Sequence, residues 1–106
     1  MSSEKIQVLT EADFAKATGS GTILVDFFAP WCGPCRSQLG ILDAMVESGK
    51  VPAGAVVAKV NVDEQAQLAQ QYDVMTIPTL IVFKNGKQTD RFTGVQSADD
   101  LVAALQ

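Results

Sequence analysis

The sequence contains no histidine among its 106 residues. That absence removes Ser-His and Cys-His nucleophilic catalysis, together with every histidine-ligated metal site. Cysteine is nearly missing too, with two copies. A closed tetrahedral zinc site would have to borrow carboxylates or a second chain, so no metal is expected. Positive charge is sparse: eight Lys and Arg against twelve Asp and Glu give a net charge of −4. The basic residues are scattered rather than gathered in a stripe, which argues against a nucleic-acid partner. Long apolar runs are also lacking. Ile23 to Trp31, the longest near the front, is interrupted by Asp26, so no stretch reads as a membrane span or a secretory leader. A cytoplasmic location without a membrane partner is the expectation.

What is present is an apolar content of 47%, enough for a hydrophobic core without disulfide or metal staples. The length suits one domain, residues 1–106, with no room for a second. In a reducing compartment, two closely spaced cysteines point to metal binding or redox work. With metal disfavoured, redox work remains.

Hydrophobic patterning places the elements. Ile6 and Val8 alternate with polar residues in a short first strand. Thr10 offers an N-cap, with Asp13 as the capping-box partner and Leu9 stapling against Phe14, for a helix from about Glu11 to Ala17. Thr22 to Ala29 is β-branched, aromatic and apolar on both faces, as a covered central strand should be. Leu39, Leu42, Met45 and Val46 recur at helical spacing until Ser48-Gly49. Val56 to Val62 reads as a second buried strand, and Leu68, Ala69 and Tyr72 as one face of a short helix. Leu80 to Phe83 and Thr89 to Phe92 flank Asn85-Gly86, a strong hairpin signal. Ser97, with Asp100 three residues on, caps a last helix carrying Leu101, Val102 and Leu105. The order β-α-β-α-β-α-β-β-α predicts an α/β fold, a central mixed sheet with helices on both faces.

Cys32 and Cys35 fall between the central strand and the helix after it, at the end of a buried strand where open α/β sheets place their sites. Residues so spaced on a helix have α-carbons about 5 Å apart, within the roughly 4.4–6.8 Å span that a disulfide needs. The pair can open and close with little backbone movement. A thiol at a helix N-terminus meets unpaired N–H groups and the positive end of the macrodipole, which favour the thiolate. Cys32 is therefore the expected nucleophile and Cys35, one turn inside, the resolving thiol. Gly33 admits a partner's backbone, and Pro34 stiffens the ring without losing a helix bond. Asp26 inside an apolar strand should be lifted in pKa toward neutrality, the range a proton carrier needs. Lys59 interrupts the next buried strand and is its plausible partner. Trp31 beside a reactive thiol reads as a contact surface, against the ordinary alternative of a core aromatic.

Trp31-Cys32-Gly33-Pro34-Cys35 closely resembles the active-site motif of the thioredoxin family. The likeness extends through Val25-Asp26-Phe27, Lys59 to Asp63, Ile77-Pro78-Thr79, Asn85-Gly86 and Gly94. It implies a thioredoxin fold and a thiol–disulfide oxidoreductase that reduces protein disulfides through Cys32 and Cys35. It also implies proton transfer by Asp26 with Lys59 nearby and a cis bond before Pro78, where the base rate alone would favour trans. Trp31, Gly33, Pro34, Val62, Thr76, Ile77, Pro78 and Gly94 would form the patch that docks substrates. No cofactor is expected, because the dithiol carries the electrons. The implied partners are a thioredoxin reductase and targets such as ribonucleotide reductase, peroxiredoxin and methionine sulfoxide reductase, met by a monomer. An oxidase or isomerase is disfavoured by Pro34, where such relatives often carry histidine. A purely binding subunit is disfavoured by the intact Cys32, Cys35, Asp26 and Pro78. Phe28, Pro30, Gly40 and Met75-Thr76 depart from the family's usual residues, Gly40 standing where a kinking proline is common.

Overall fold

Ile23 to Phe27 form an unbroken run of buried residues, and the other elements are arranged around them. The computed structural model describes residues 4–106. Its elements are β1 (Gln7–Val8), α1 (Phe14–Thr18), β2 (Thr22–Phe28), α2 (Gly33–Glu47) and β3 (Ala55–Asn61). They continue with α3 (Ala66–Gln71), β4 (Thr79–Lys84), β5 (Lys87–Thr93) and α4 (Ala98–Leu105). The strands form one sheet in the order β1-β3-β2-β4-β5. β1 and β2 run parallel to β3, while β4 is antiparallel to β2 and β5 antiparallel to β4. This is the mixed α/β sheet that the sequence pattern predicts.

The central position of β2 explains why its apolar residues do not alternate with polar ones. Ile23, Val25 and Phe27 pack on one face with Phe14 of α1 and Leu68 of α3. Leu24 packs on the other with Leu42 and Met45 of α2 and Leu101 and Leu105 of α4. A strand covered on both faces needs apolar side chains at both parities. On the first face Phe14, Tyr72 and Phe83 meet with ring centroids 5.1–5.8 Å apart. Their tilted and edge-on geometries suit the quadrupoles of the rings.

Local signals set the turns. Asn85 and Gly86 both have positive φ, 52° and 86°, which the two-residue hairpin turn requires. The Asn85 side chain also accepts from the Gly21 N–H at 3.1 Å, fastening the hairpin to the turn before β2. The Ser97 hydroxyl caps α4 by accepting from the Asp100 N–H at 3.2 Å.

Several boundaries differ from expectation. α1 begins at Phe14 rather than Glu11, and Glu11 makes long-range contacts to α3. Its N–H donates to Gln65 Oε1 at 2.9 Å and its carboxylate accepts from the Gln67 N–H at 3.1 Å. Glu11 thus caps α3, whose own Gln65 makes no side-chain cap. Of the capping box, one half forms: the Asp13 carboxylate accepts from the Thr10 N–H at 2.7 Å. β3 lies one residue earlier than Val56 to Val62, and β5 is longer at both ends than Thr89 to Phe92. Ile6 is buried, but Val8 at the sheet edge is 61% exposed, so the two do not share a covered face.

Candidate active site

The carboxyl end of β2 leads through Ala29, Pro30 and Trp31 into α2, whose N-cap is Cys32. The Cys32 N–H donates to the Ala29 carbonyl at 3.2 Å, making the turn that redirects the chain. Pro34 occupies the first turn of α2, where a missing N–H costs nothing. Cys32 and Cys35 are joined as a disulfide with α-carbons 5.2 Å apart, the span that helix geometry anticipates. The Cys35 N–H donates to Cys32 Sγ at 3.2 Å. One of the orphan donors of α2 therefore points at the sulfur that would carry negative charge when reduced.

Both cysteines are buried, Cys32 at 5% and Cys35 at 0% exposure, with Cys32 the more accessible. They form a small cluster with Ala29, against which Phe28, Val62 and Ile77 pack. Val62 is held beside β2 by its N–H, which donates to the Phe28 carbonyl at 2.9 Å. Ile77 precedes Pro78 through a cis peptide bond, and its carbonyl oxygen lies 3.9 Å from Cys32 Sγ. The buried Pro78 offers its own carbonyl to the Gly94 N–H at 2.9 Å. The loop before β4 and the loop after β5 thus meet beside the sulfurs. Thr76 is exposed, and its carbonyl accepts from the hydroxyl of the buried Thr79.

Trp31 is 69% exposed, which discards the core-aromatic alternative. Its indole Nε1–H donates to Asp63 Oδ2 at 2.9 Å. Asp63 is in turn placed by Asn61, whose side-chain oxygen accepts the Asp63 N–H at 2.9 Å. Sequence reasoning gave Asp63 no role, although Asn61 two residues before it is an Asx-turn signal. Gly33 and Pro34 are exposed beside Trp31, and Met75 is 91% exposed in the loop before Pro78.

Asp26 lies on the sheet face that carries Leu24 and Phe28, the face covered by α2. It is fully buried, and neither carboxyl oxygen has a hydrogen-bond partner. Burial pushes its pKa up to about 7, against the lowering pull of the Lys59 charge. Lys59 stands opposite Asp26 in β3, half-buried, with its ammonium 5.6 Å from the centroid of the Phe28 ring. The site therefore combines a closable sulfur pair, a helix N-terminus facing one sulfur and a buried carboxyl near neutrality. Among the described residues no cluster of His, Cys, Asp and Glu is suited to hold a metal ion.

Comparison with known proteins gives the same outline. The sequence profile of the thioredoxin family matches residues 5–106. The thioredoxin of Chlamydia trachomatis serovar D is 40% identical over 100 residues, covering 94% of this chain and 95% of that protein. The thioredoxin of Staphylococcus epidermidis is 41% identical over 97 residues, covering 92% and 91%. Among solved structures, Malassezia sympodialis thioredoxin superposes with a TM-score of 0.83 at 29% identity, covering 98% of this chain and 91% of that one. A variant thioredoxin from Halobacterium salinarum gives 0.83 at 30% identity, covering 99% and 91%.

Proposed function

We propose that this chain, which belongs to the thioredoxin family and is a thiol–disulfide oxidoreductase acting through Cys32 and Cys35, serves as a general protein-disulfide reductant. The observation that carries the direction of attack is the Cys35 N–H aimed at Cys32 Sγ at 3.2 Å. In the dithiol form the Cys32 thiolate attacks one sulfur of a substrate disulfide, and the other substrate sulfur leaves as a thiolate. The Cys35 thiol then loses its proton to the Asp26 carboxylate and attacks Cys32. The Cys32–Cys35 bond forms, the mixed disulfide breaks, and two electrons have passed to the substrate. With a pKa of about 7, Asp26 is divided between its acid and base forms at neutral pH, as a proton acceptor should be. Lys59 limits how far burial raises that value.

Trp31, Gly33, Pro34, Val62, Thr76, Ile77, Pro78 and Gly94 serve as the docking surface. The half-buried Ile77, with its carbonyl beside Cys32 Sγ, is the backbone edge along which a substrate strand would lie. A small surface of this kind favours brief encounters. A thioredoxin reductase recharges the protein. Its substrates include enzymes of the ribonucleotide reductase, peroxiredoxin and methionine sulfoxide reductase types. The protein acts in the cytoplasm as a monomer, with residues 1–106 as one domain and no cofactor; no described helix is long and apolar enough to cross a membrane. NADPH-driven insulin reduction with a bacterial thioredoxin reductase tests this. Turnover that depends on both enzymes supports it; a pair that equilibrates as a strong oxidant with glutathione contradicts it.

A further inference from the structure

α2 buries one polar side chain of its own among Cys35, Leu42 and Met45, that of Gln38. Gln38 has no exposed surface, and both ends of its amide are used on a single distant residue. Its Nε2 donates to the Gln96 carbonyl at 3.2 Å, and its Oε1 accepts from the Gln96 N–H at 2.7 Å. The amide thus pairs with one backbone unit much as a neighbouring strand would. Gln96 reinforces the loop from its other end, its Nε2 donating to the Thr93 and Gly94 carbonyls at 3.4 and 3.3 Å. Gly94 in turn donates to the Pro78 carbonyl, and Ile77 presents its carbonyl to Cys32 Sγ. A continuous set of contacts therefore runs from α2, one turn beyond Cys35, through the loop after β5 to the segment facing the attacking sulfur.

We propose that Gln38 is a positioning residue: through Gln96 it fixes the loop bearing Gly94 and Val95 against the Ile77–Pro78 segment, and so sets how well protein disulfides dock. This rests on the docking surface proposed above. Both ends of the Gln38 amide are spent on Gln96 rather than on either sulfur, so the thiol chemistry itself should not depend on it. Replacing the amide with an apolar group leaves the Gln96 N–H and carbonyl without their partners. The loop must then shift to recover them, and small displacements at a docking surface cost rate.

The test compares two oxidants of the prereduced full chain: insulin, which must dock, and dithiobis(nitrobenzoate), a small disulfide that needs little surface. For Gln38→Leu, the rate with insulin should fall about tenfold, while the rate with the small disulfide and the reduction potential stay unchanged. Gln38→Glu supplies a second variant that does not depend on the first one folding. Its carboxyl can both donate and accept only when protonated, so its insulin-to-small-disulfide ratio should return toward the parent's as pH falls. Val95 is 44% exposed on this loop, next to Gly94 of the docking surface, so Val95→Asp should lower that ratio by placing a charge at the edge of that surface. A lowered ratio for Val95→Asp with an unchanged one for Gln38→Leu overturns the role of Gln38 and leaves the docking surface standing. Unchanged ratios for both overturn the two together. Equal falls with both oxidants, or a pH-independent ratio for Gln38→Glu, reduce Gln38 to a core residue and overturn the proposal.

Discussion

Asp26 and Lys59 are direct partners in the parallel strands β2 and β3, yet no hydrogen bond joins them. The carboxyl is left buried with both oxygens unpartnered, while the ammonium lies over the Phe28 ring. A charge pair in contact would hold an aspartate low in pKa. Here desolvation dominates and Lys59 acts only as a counterweight.

The first prediction concerns stability and pH. The unfolded chain loses the Asp26 proton near 3.8, the folded protein only near 7. Between those values the folded state binds the extra proton, so Asp26 lowers stability progressively as pH rises, and the loss is complete above the folded pKa. Asp26→Asn should match the parent near pH 4 and become more stable by about 4 kcal/mol above pH 8. Urea unfolding of both proteins across that range gives the difference directly. The same variant should slow disulfide exchange, and identical exchange rates across about pH 6 to 9 would contradict the proton-transfer role.

Lys59→Met removes the one charge that pulls the Asp26 pKa down. The carboxyl should then titrate above 7, and the pH at which the Asp26 stability loss is complete should move up with it. Carboxyl carbon chemical shifts followed through the titration report this. A downward move would show that Lys59 acts on Asp26 by some route other than its charge.

Trp31 is held by Asp63 through a hydrogen bond on the protein surface. Asp63→Ala should free the indole and slow insulin reduction several-fold, while stability changes by no more than about 0.5 kcal/mol. Asp63→Asn keeps an acceptor oxygen and should retain most of the rate. Stopped-flow reduction of insulin separates the two variants.

Gly40 is exposed on α2, and a Cβ built there would meet nothing within 4 Å. Glycine inside a helix costs about 0.5–1 kcal/mol relative to alanine. Gly40→Ala should therefore raise the unfolding free energy by about that amount without altering exchange rates. Thermal and urea unfolding check it; a loss of stability would mean that the glycine answers a need for flexibility.

The sheet was legible because its signals are local. The both-sided apolarity of Ile23 to Phe27, the Asn85-Gly86 turn and the Ser97 cap each depend on residues a few positions apart. The boundaries that moved are those controlled from a distance. Glu11 stands outside α1 and is bonded to Gln65 and Gln67 across 54 and 56 residues. At the site, the Cys32–Cys35 spacing and the buried Asp26 could be seen in the pattern. The roles of Asp63 and Gln38 could not, since their partners lie 32 and 58 residues away; the Asn61 signal marks a turn at Asp63 but not its bond to Trp31. Arg91 is of the same kind: it donates to the Tyr72 and Asp73 carbonyls at 2.6 and 2.8 Å, bracing the chain that leads to Pro78.

The account turns on Cys32 attacking and Cys35 resolving, and trapping the mixed disulfide tests that division most directly. Prereduced Cys35→Ser is incubated with oxidised insulin, and prereduced Cys32→Ser with the same substrate, followed by thiol blocking and mass spectrometry. The geometry of the α2 N-terminus predicts a stable adduct through Cys32 in the first variant and almost none in the second. An adduct through Cys35 in the Cys32→Ser protein, with Cys32 silent in the other, would contradict it.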